Sequence, residues 1–422
     1  MKKIICCPRE CLPERLENEA LYCSMFSSSG LDGVGHTALQ LPSAVQKSQL
    51  SPSVQAWDFA VIASAVAAAD KAILRKHSPD GWTREINLDV SLSAPDIWNK
   101  KRSDLEKMLR FLTGDFWSLE FSSGGVKPPK VKEPMMGNAD CVCLLSGGID
   151  SLVGAIDLTA IGMKPLFVSH VVRGDKDAQS RFASVLRGSD HHFQWSFTTK
   201  HLGISENSTR ARSMIFFAFA TLAVSAVQTT NKQPVDIYVP ENGFISLNVP
   251  LGPGRLGSLS TKTTHPFFMN MLQEIWNDVG IPARLILPYL HQTKGEMLQK
   301  CQDIKKLIRL VGHSTSCGRY QRNKLTHCGT CIPCLVRRAT FLKADLPDST
   351  VNGYIKDKLS HSDSVDVSAA AMAYLRYKDE GIHRFTTGSL TFAPYSDHEK
   401  YERIVARGLD EIGRFLSHQG IL

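Results

Sequence analysis

Residues Ser146-Gly147-Gly148-Ile149-Asp150-Ser151 follow directly on the apolar run Cys141 to Leu145, and this junction constrains the fold more than any other segment. A short buried strand runs into a tight turn, and a helix begins near Leu152. Glycines let the backbone close around an anion, while the amides of a first helical turn point at it with the helix dipole behind them. Such a loop binds phosphate. A kinase-type loop would place Gly-Lys-Ser/Thr after its glycines, with the lysine on the terminal phosphates. Here an aspartate and a serine follow instead. Ser-Gly-Gly alone would suit an ordinary capped turn; the strand before it and the helix after it favour the phosphate reading.

From Asp140 onward, strand and helix patterns alternate. Strands are expected at Cys141–Leu145, Pro165–Ser169, His192–Thr198, Asp236–Pro240 and Arg284–Leu287. Helices are expected at Leu152–Ala160, Asp177–Arg187, Arg210–Gln228 and Thr264–Asp278. That alternation predicts an α/β fold, a doubly wound and mostly parallel sheet that binds ligands beyond the carboxyl ends of its strands. The first 135 residues read as a separate module, with helices at Trp57–Arg75 and Leu105–Leu112 and strands at Ile86–Leu92 and Phe116–Phe121. We expect a small N-terminal α+β domain over 1–135, a proline-broken connection over 122–138 and a catalytic domain over 139–422. Tyr401–Leu416 reads as an amphipathic closing helix on the catalytic core.

A chain of 422 residues exceeds what one core usually serves, in keeping with two domains. Its 49 Lys+Arg against 41 Asp+Glu leave a charge of +8, which suits an anionic ligand. No run of five or six basic residues marks a nucleic-acid track, so nucleic acid is neither required nor excluded. Phe59–Ala69 is apolar but too short to span a bilayer and reads as a buried helix. Met1-Lys2-Lys3-Ile4-Ile5-Cys6-Cys7-Pro8 has too short an apolar stretch for a signal peptide, which makes the cytoplasm the expected compartment.

Eleven cysteines in such a chain point to reduced thiols and metal binding. Cys317, Cys328, Cys331 and Cys334 form Cys-x10-Cys-Gly-Thr-Cys-Ile-Pro-Cys, whose two overlapping Cys-x-x-Cys steps bring thiolates to one ion. Four soft ligands make a closed tetrahedral Zn²⁺ site with a structural role. An iron–sulfur cluster takes the same number of cysteines, and the compact knuckle spacing favours zinc. Cys141 and Cys143 are read as core residues of their strand.

Ser-Gly-Gly-x-Asp-Ser resembles the pyrophosphate loop of the ATP pyrophosphatases, adenine nucleotide α-hydrolase-like enzymes that cleave ATP between its α and β phosphates and adenylate a substrate. With the four-cysteine knuckle behind it, the stretch from about 140 to 345 resembles 7-cyano-7-deazaguanine synthase. That family activates 7-carboxy-7-deazaguanine with ATP, adds ammonia to give an amide and dehydrates the amide with a second ATP. Ser208–Phe216 resembles the family's Pro-x-Arg-Asn-x-Ile-Phe helix start, with Ser213 in place of asparagine. Pro288–Glu296 resembles its Pro-Leu-x-x-x-x-Lys-x-Glu segment, with Tyr289 in place of leucine. The family's Gly-Tyr-Pro-Asp-Cys-Arg substrate segment is absent, which leaves substrate and acceptor amine open. The N-terminal extension makes the whole resemble synthase-like proteins of bacterial phage-defence operons, implying protein partners from the same operon and a protein amine as acceptor.

The resemblance implies the following roles. Ser146, Gly147, Gly148 and Ser151 cradle the pyrophosphate of ATP, and Asp150 positions Mg²⁺ or its waters. Lys294 and Arg212 offset charge on the leaving group; for Lys294 the competing reading is a solvated helix lysine. Where the substrate segment is missing, Glu241 and Asn242, then Arg255, then Lys262 and His265 follow a strand end and are expected to line the cleft. Glu241 suits a guanine-like N–H edge, and Arg255 or Lys262 a carboxylate or phosphate. His191 and His192 are expected to face solvent or pack. Two other readings stay in play: a tRNA-modifying enzyme of the same superfamily, and a non-catalytic ATP-binding subunit.

Overall fold

The computed structural model describes residues 2–135, 137–201, 203–228, 233–252, 262–360 and 364–422. Its strands are β1 (Lys2–Cys7), β2 (Ala20–Met25), β3 (Val34–Thr37), β4 (Glu85–Ser91), β5 (Phe116–Ser122), β6 (Cys141–Leu144), β7 (Pro165–His170), β8 (His192–Trp195), β9 (Thr199–Lys200), β10 (Val235–Tyr238) and β11 (Ala283–Ile286). They form two sheets. The second, in the order β11-β10-β6-β7-β8, is parallel throughout and matches the expected strands closely. Cys141 and Cys143 are buried in β6 as expected.

The first sheet corrects the expectation of an α+β module with two strands. Five parallel strands, β5-β4-β1-β2-β3, are joined at one edge by the short antiparallel β9. The segment with a faint look of a signal peptide is β1, an inner strand between β2 and β4 with Ile4 and Cys6 buried. The expected strand over His192–Thr198 stops at Trp195, and the chain then crosses to supply β9. Residues 123–135 have no regular structure and are tacked to the first sheet's layer by Trp57 Nε1 donating to Val126 O (2.7 Å) and Met135 N to Gln49 O (2.8 Å).

Helix Val54–Ala72 lies on the first sheet, helix Ser213–Ala223 on the second, and the two pack against each other, giving a sheet–helix–helix–sheet sandwich. Every residue from Ala56 to Asp70 is buried. A helix apolar on all sides belongs in an interior, and its many alanines let neighbours approach closely. One continuous apolar core therefore runs from Ile4 in β1 to Ala283 in β11. At its centre Phe59 meets Trp276 edge-on, with ring centroids 5.6 Å apart. No helix among the described residues is long and apolar enough to cross a membrane.

The sandwich carries a buried ionic network. Asp115 takes a two-pronged grip from Arg75 (2.8 and 2.9 Å) and a further bond from Arg84 Nη2 (2.6 Å), which also reaches Asp70 Oδ1 (2.5 Å). Asp70 Oδ2 accepts from the amides of Arg210 and Ala211, both at 2.7 Å. All four side chains are at most 3% exposed. Burial pushes the Asp115 carboxyl up, but hydrogen bonds and charge from Arg84, with Arg75 behind, hold it below its ordinary value.

Removing one partner from such a network leaves a buried charge uncompensated. Asp115→Ala is expected to cost about 3–5 kcal/mol in chemical denaturation. Reversing an exposed pair such as Lys378–Asp410 is expected to cost under about 1 kcal/mol.

Candidate functional site

Strand β6 is flanked by β7 on one side and β10 on the other, so chain direction across the sheet reverses there. The crevice beyond the carboxyl ends of β6 and β10 is where open parallel sheets bind ligands. Residues 145–148 leave β6 at that point and lead into helix Ile149–Ala160, which begins three residues earlier than expected and puts Asp150 in its first turn. Gly147 sits at φ +90°, a conformation side chains disfavour. Gly154 allows this helix to lie against Pro240 after β10; a Cβ there would fall 2.3 Å from that ring.

The loop is braced by its own serines. Ser151 Oγ accepts from Ser146 N (3.2 Å) and Ser146 Oγ (3.1 Å) and donates to Gly148 O (3.1 Å). Gln179 Nε2 holds Ser146 O (3.2 Å), and Thr315 N donates to Gly147 O (2.9 Å). Thr315 Oγ1 also donates to Asp175 Oδ1 at 2.8 Å.

Asp150, 5% exposed, joins three of the residues singled out in the sequence. Lys294 Nζ lies 3.1 Å from its Oδ1, while Asn242 Nδ2 donates to its Oδ2 at 2.7 Å. Glu241 adjoins them. Burial pushes the Asp150 carboxyl up, but the Lys294 charge and hydrogen bonds from Glu241 and Asn242 hold it below its ordinary value. Glu241 moves the other way: burial and then the Asp150 charge drive it well above the ordinary carboxyl range. The two carboxyls are thus pushed apart in acidity, Asp150 the stronger acid and Glu241 the weaker.

A cavity of about 630 Å³ opens over the loop, lined by Ser146, Gly148, Asp175, Arg212 and Thr315 and edged by Arg173, Arg319 and Arg322. Its size suits a nucleotide, and its arginines suit phosphate. Arg212 is therefore at the loop, as expected. Asp175, Thr315 and the other arginines were not foreseen; they arrive from β7, from the approach to the cysteines and from the cysteine loop itself. Proximity of Thr315 to Cys317 was the one available signal.

Lys262 and His265 are placed elsewhere. Lys262 Nζ sits over the rings of Phe111 (4.2 Å) and Phe392 (5.2 Å). His265 caps helix Pro266–Val279, accepting from Phe267 N at 3.2 Å, and burial lowers its pKa to about 4. Arg255 lies outside the described residues. His192 packs as expected, with Nε2 2.8 Å from Ser169 Oγ.

The short helix Lys294–Gln299 opens with a capping box between Thr293 and Glu296. Helix Tyr395–His418, longer than the expected closing helix, braces it from behind: Arg407 Nε pairs with Glu296 (2.7 Å), and Thr293 Oγ1 donates to Glu411. Burial raises the Glu411 carboxyl to about 7.

The Sγ atoms of Cys317, Cys328, Cys331 and Cys334 all lie within 4.8 Å of one another, with Cys328–Cys334 at 3.9 Å and Cys331–Cys317 at 3.8 Å. A tetrahedron with Zn–S of about 2.3 Å has edges of about 3.8 Å, so the donor set fits zinc. Cys331 caps helix Ile332–Ala344, and backbone amides of Arg319 and Cys328 point at Cys317 Sγ (both 3.3 Å), arrangements that favour thiolates.

Strand order, a serine-braced glycine loop at the switch point and an arginine-edged cavity define an α/β protein with a crevice suited to phosphate, joined to a four-cysteine knuckle. The chain is similar to the 7-cyano-7-deazaguanine synthase of Methanothrix thermoacetophila, with 23% identity over 230 residues, 51% of this chain and 98% of the relative. It is similarly related to the 7-cyano-7-deazaguanine synthase of Methanococcus maripaludis, with 20% identity over 235 residues, 50% of this chain and 97% of the relative. No protein-family model matches the chain, and no solved structure matches it. This distant similarity suggests an ATP-dependent activity of the same kind.

Two outcomes test the site's supports. Metal analysis is expected to find a single zinc ion per chain, with Cys328→Ser losing it and lowering Tm. Glu411 has its folded pKa above its unfolded one, so native protein holds the extra proton and loses stability as pH rises from 4.5 through about 7. Glu411→Gln is expected to remove that fall, about 3 kcal/mol at most, from a denaturation series across pH.

Proposed function

We propose that the chain activates a 7-carboxy-7-deazaguanine-like carboxylate with ATP and converts it to an amide. The observation that carries this reading is the braced loop at the β6–β10 switch point with Asp150, Lys294 and Asn242 locked behind it. Similarity to two synthases along almost their entire length supports it.

The amides of Gly147 and Gly148 and the hydroxyl of Ser146 receive phosphate oxygens. A substrate carboxylate oxygen attacks the α-phosphorus, and the P–O bond to pyrophosphate breaks, its electron pair leaving with pyrophosphate. Arg212, with Arg173, Arg319 and Arg322 around it, offsets the charge on the departing group. An amine then attacks the acyl carbon, loses a proton and displaces AMP. Positioning and electrostatics supply the acceleration, with no covalent link to the protein.

Magnesium would enter with ATP and screen its phosphates. Asp150 faces Lys294 through one oxygen and Asn242 through the other, so this reading assigns the Mg²⁺ contact expected of it to a neighbouring carboxylate. Asp175 faces the cavity with its carboxyl raised by burial and would hold the ion instead. Asp150 acts by keeping the Lys294 ammonium fixed beneath the loop.

The chain divides, in this reading, into an accessory unit over 1–135 and a catalytic unit over 139–422. Ammonia or a protein amine serves as acceptor, and the accessory unit answers to partner proteins, in keeping with a defence-operon setting. The closed four-thiolate site leaves no open metal position for sulfur chemistry and weighs against a tRNA-thiolating role.

Mass spectrometry of reactions with Mg-ATP, 7-carboxy-7-deazaguanine and ammonium is expected to show AMP together with an amide or nitrile. Asp150→Asn and Lys294→Ala are each expected to cut AMP formation by about 10²–10³-fold in protein that a melting curve shows still folded, although breaking this buried pair lowers Tm. AMP formed only with partner proteins present would identify a protein amine as acceptor, and no AMP under either condition would overturn the proposal.

A further inference from the structure

A second cavity, of about 410 Å³, adjoins the first and shares Asn207 and Arg212 with it. Its walls come from both sheets' layers. Ala67, Asp70 and Lys71 of helix Val54–Ala72 form one side; His170 at the end of β7 and Phe197–Thr199 form the other.

The charges facing this space do not cancel. Asp70 is spent on Arg84 and the amides of Arg210 and Ala211. Glu206 is spent on the amides of Arg75 (2.9 Å) and Ser208 (2.7 Å). Lys71 Nζ has a carbonyl, Thr199 O, at 3.5 Å, and Arg212 has no carboxylate partner among the described residues. The cavity thus sets two cations against the Glu206 carboxylate, whose oxygens are turned to backbone amides. It also presents two flat rings, Phe197 and His170, the latter kept neutral because burial and then Arg212 lower its pKa to about 4. Thr198, Thr199 and Asn207 complete the lining.

We propose that this cavity holds the acceptor substrate as a planar heteroaromatic carboxylate, with Lys71 and the Val54–Ala72 helix forming a wall of the pocket. The inference rests on the carboxylate-activating reading above. Arg212, common to both cavities, brings the carboxylate and the α-phosphate together. The N-terminal unit is then part of the substrate site rather than only an attachment for partners. Substrate recognition also shifts from Lys262 and His265, which are held by Phe111, Phe392 and a helix cap, to the junction of the two layers.

Calorimetric titration of the full chain tests this with two probes, 7-carboxy-7-deazaguanine and α,β-methylene-ATP. Lys71→Met is expected to weaken the carboxylate about tenfold, the loss of one charge-assisted contact, with ATP-analogue affinity within about twofold of wild type. Ala67→Phe, which fills the cavity, is expected to abolish carboxylate binding; a melting curve checks that each variant folds. Unchanged carboxylate affinity in folded Lys71→Met overturns the proposal, as does wild-type protein that fails to bind the carboxylate. Carboxylate binding that depends on Lys71 in a protein that ignores the ATP analogue upholds the cavity and removes the ATP reading instead.

Discussion

The carboxylate of Asp70 is the point on which the two halves of this molecule are joined. One oxygen answers Arg84 within the first sheet's layer, and the other takes two backbone amides at residues 210 and 211. Those amides lead directly to Arg212 and into helix Ser213–Ala223, the layer that covers the second sheet. A buried carboxylate is tolerable only when its oxygens are satisfied, so the helix carrying Asp70 and the segment carrying Arg212 are held in one register. The alanine-rich packing of Val54–Ala72 supplies area, and Asp70 supplies direction. Position of the arginine at the phosphate crevice is therefore set from the far side of the sandwich.

At the crevice, electrostatics are arranged by opposition. The Asp150 and Glu241 carboxyls are pushed in opposite directions, with the Lys294 charge favouring the ionised form of Asp150. Behind them the C-terminal helix acts as a backstop, touching the loop after β10 through Gly408 against Phe244 and the lysine helix through Glu411 and Arg407. Residues as far apart in the chain as Asp150 and Glu411 thus hold one site.

The second sheet was legible because its central β6 and β7 are short apolar runs buried on both faces, while β8 and β10 alternate; Cys141-Val142-Cys143-Leu144 is the buried pattern in its plainest form. The first sheet was not. Val34-Gly35-His36-Thr37 is short and its strand formers are split by Gly35 and His36, so pairing with β2 and β9 is what makes it a strand. β1 was hidden by its leading lysines, which read as an N-terminal flank rather than the start of an inner strand. At the crevice, the residues singled out because they follow a strand end or open a helix lie together: the loop, Glu241, Asn242, Lys294 and Arg212. Asp175, Asn207 and Thr315 reach the loop only through tertiary packing, which no local pattern reports. His265 was misread because a histidine before a proline-led helix serves as a cap as readily as a ligand.

The two-residue strand β9 shows what the arrangement protects. It comes from the chain beyond β8, yet lies antiparallel along β3, the otherwise open edge of the first sheet. An uncovered strand edge is a template for pairing with another chain. The second sheet's half therefore acts as a built-in chaperone for its neighbour: a fragment ending before residue 199 would present a sticky border to its own copies.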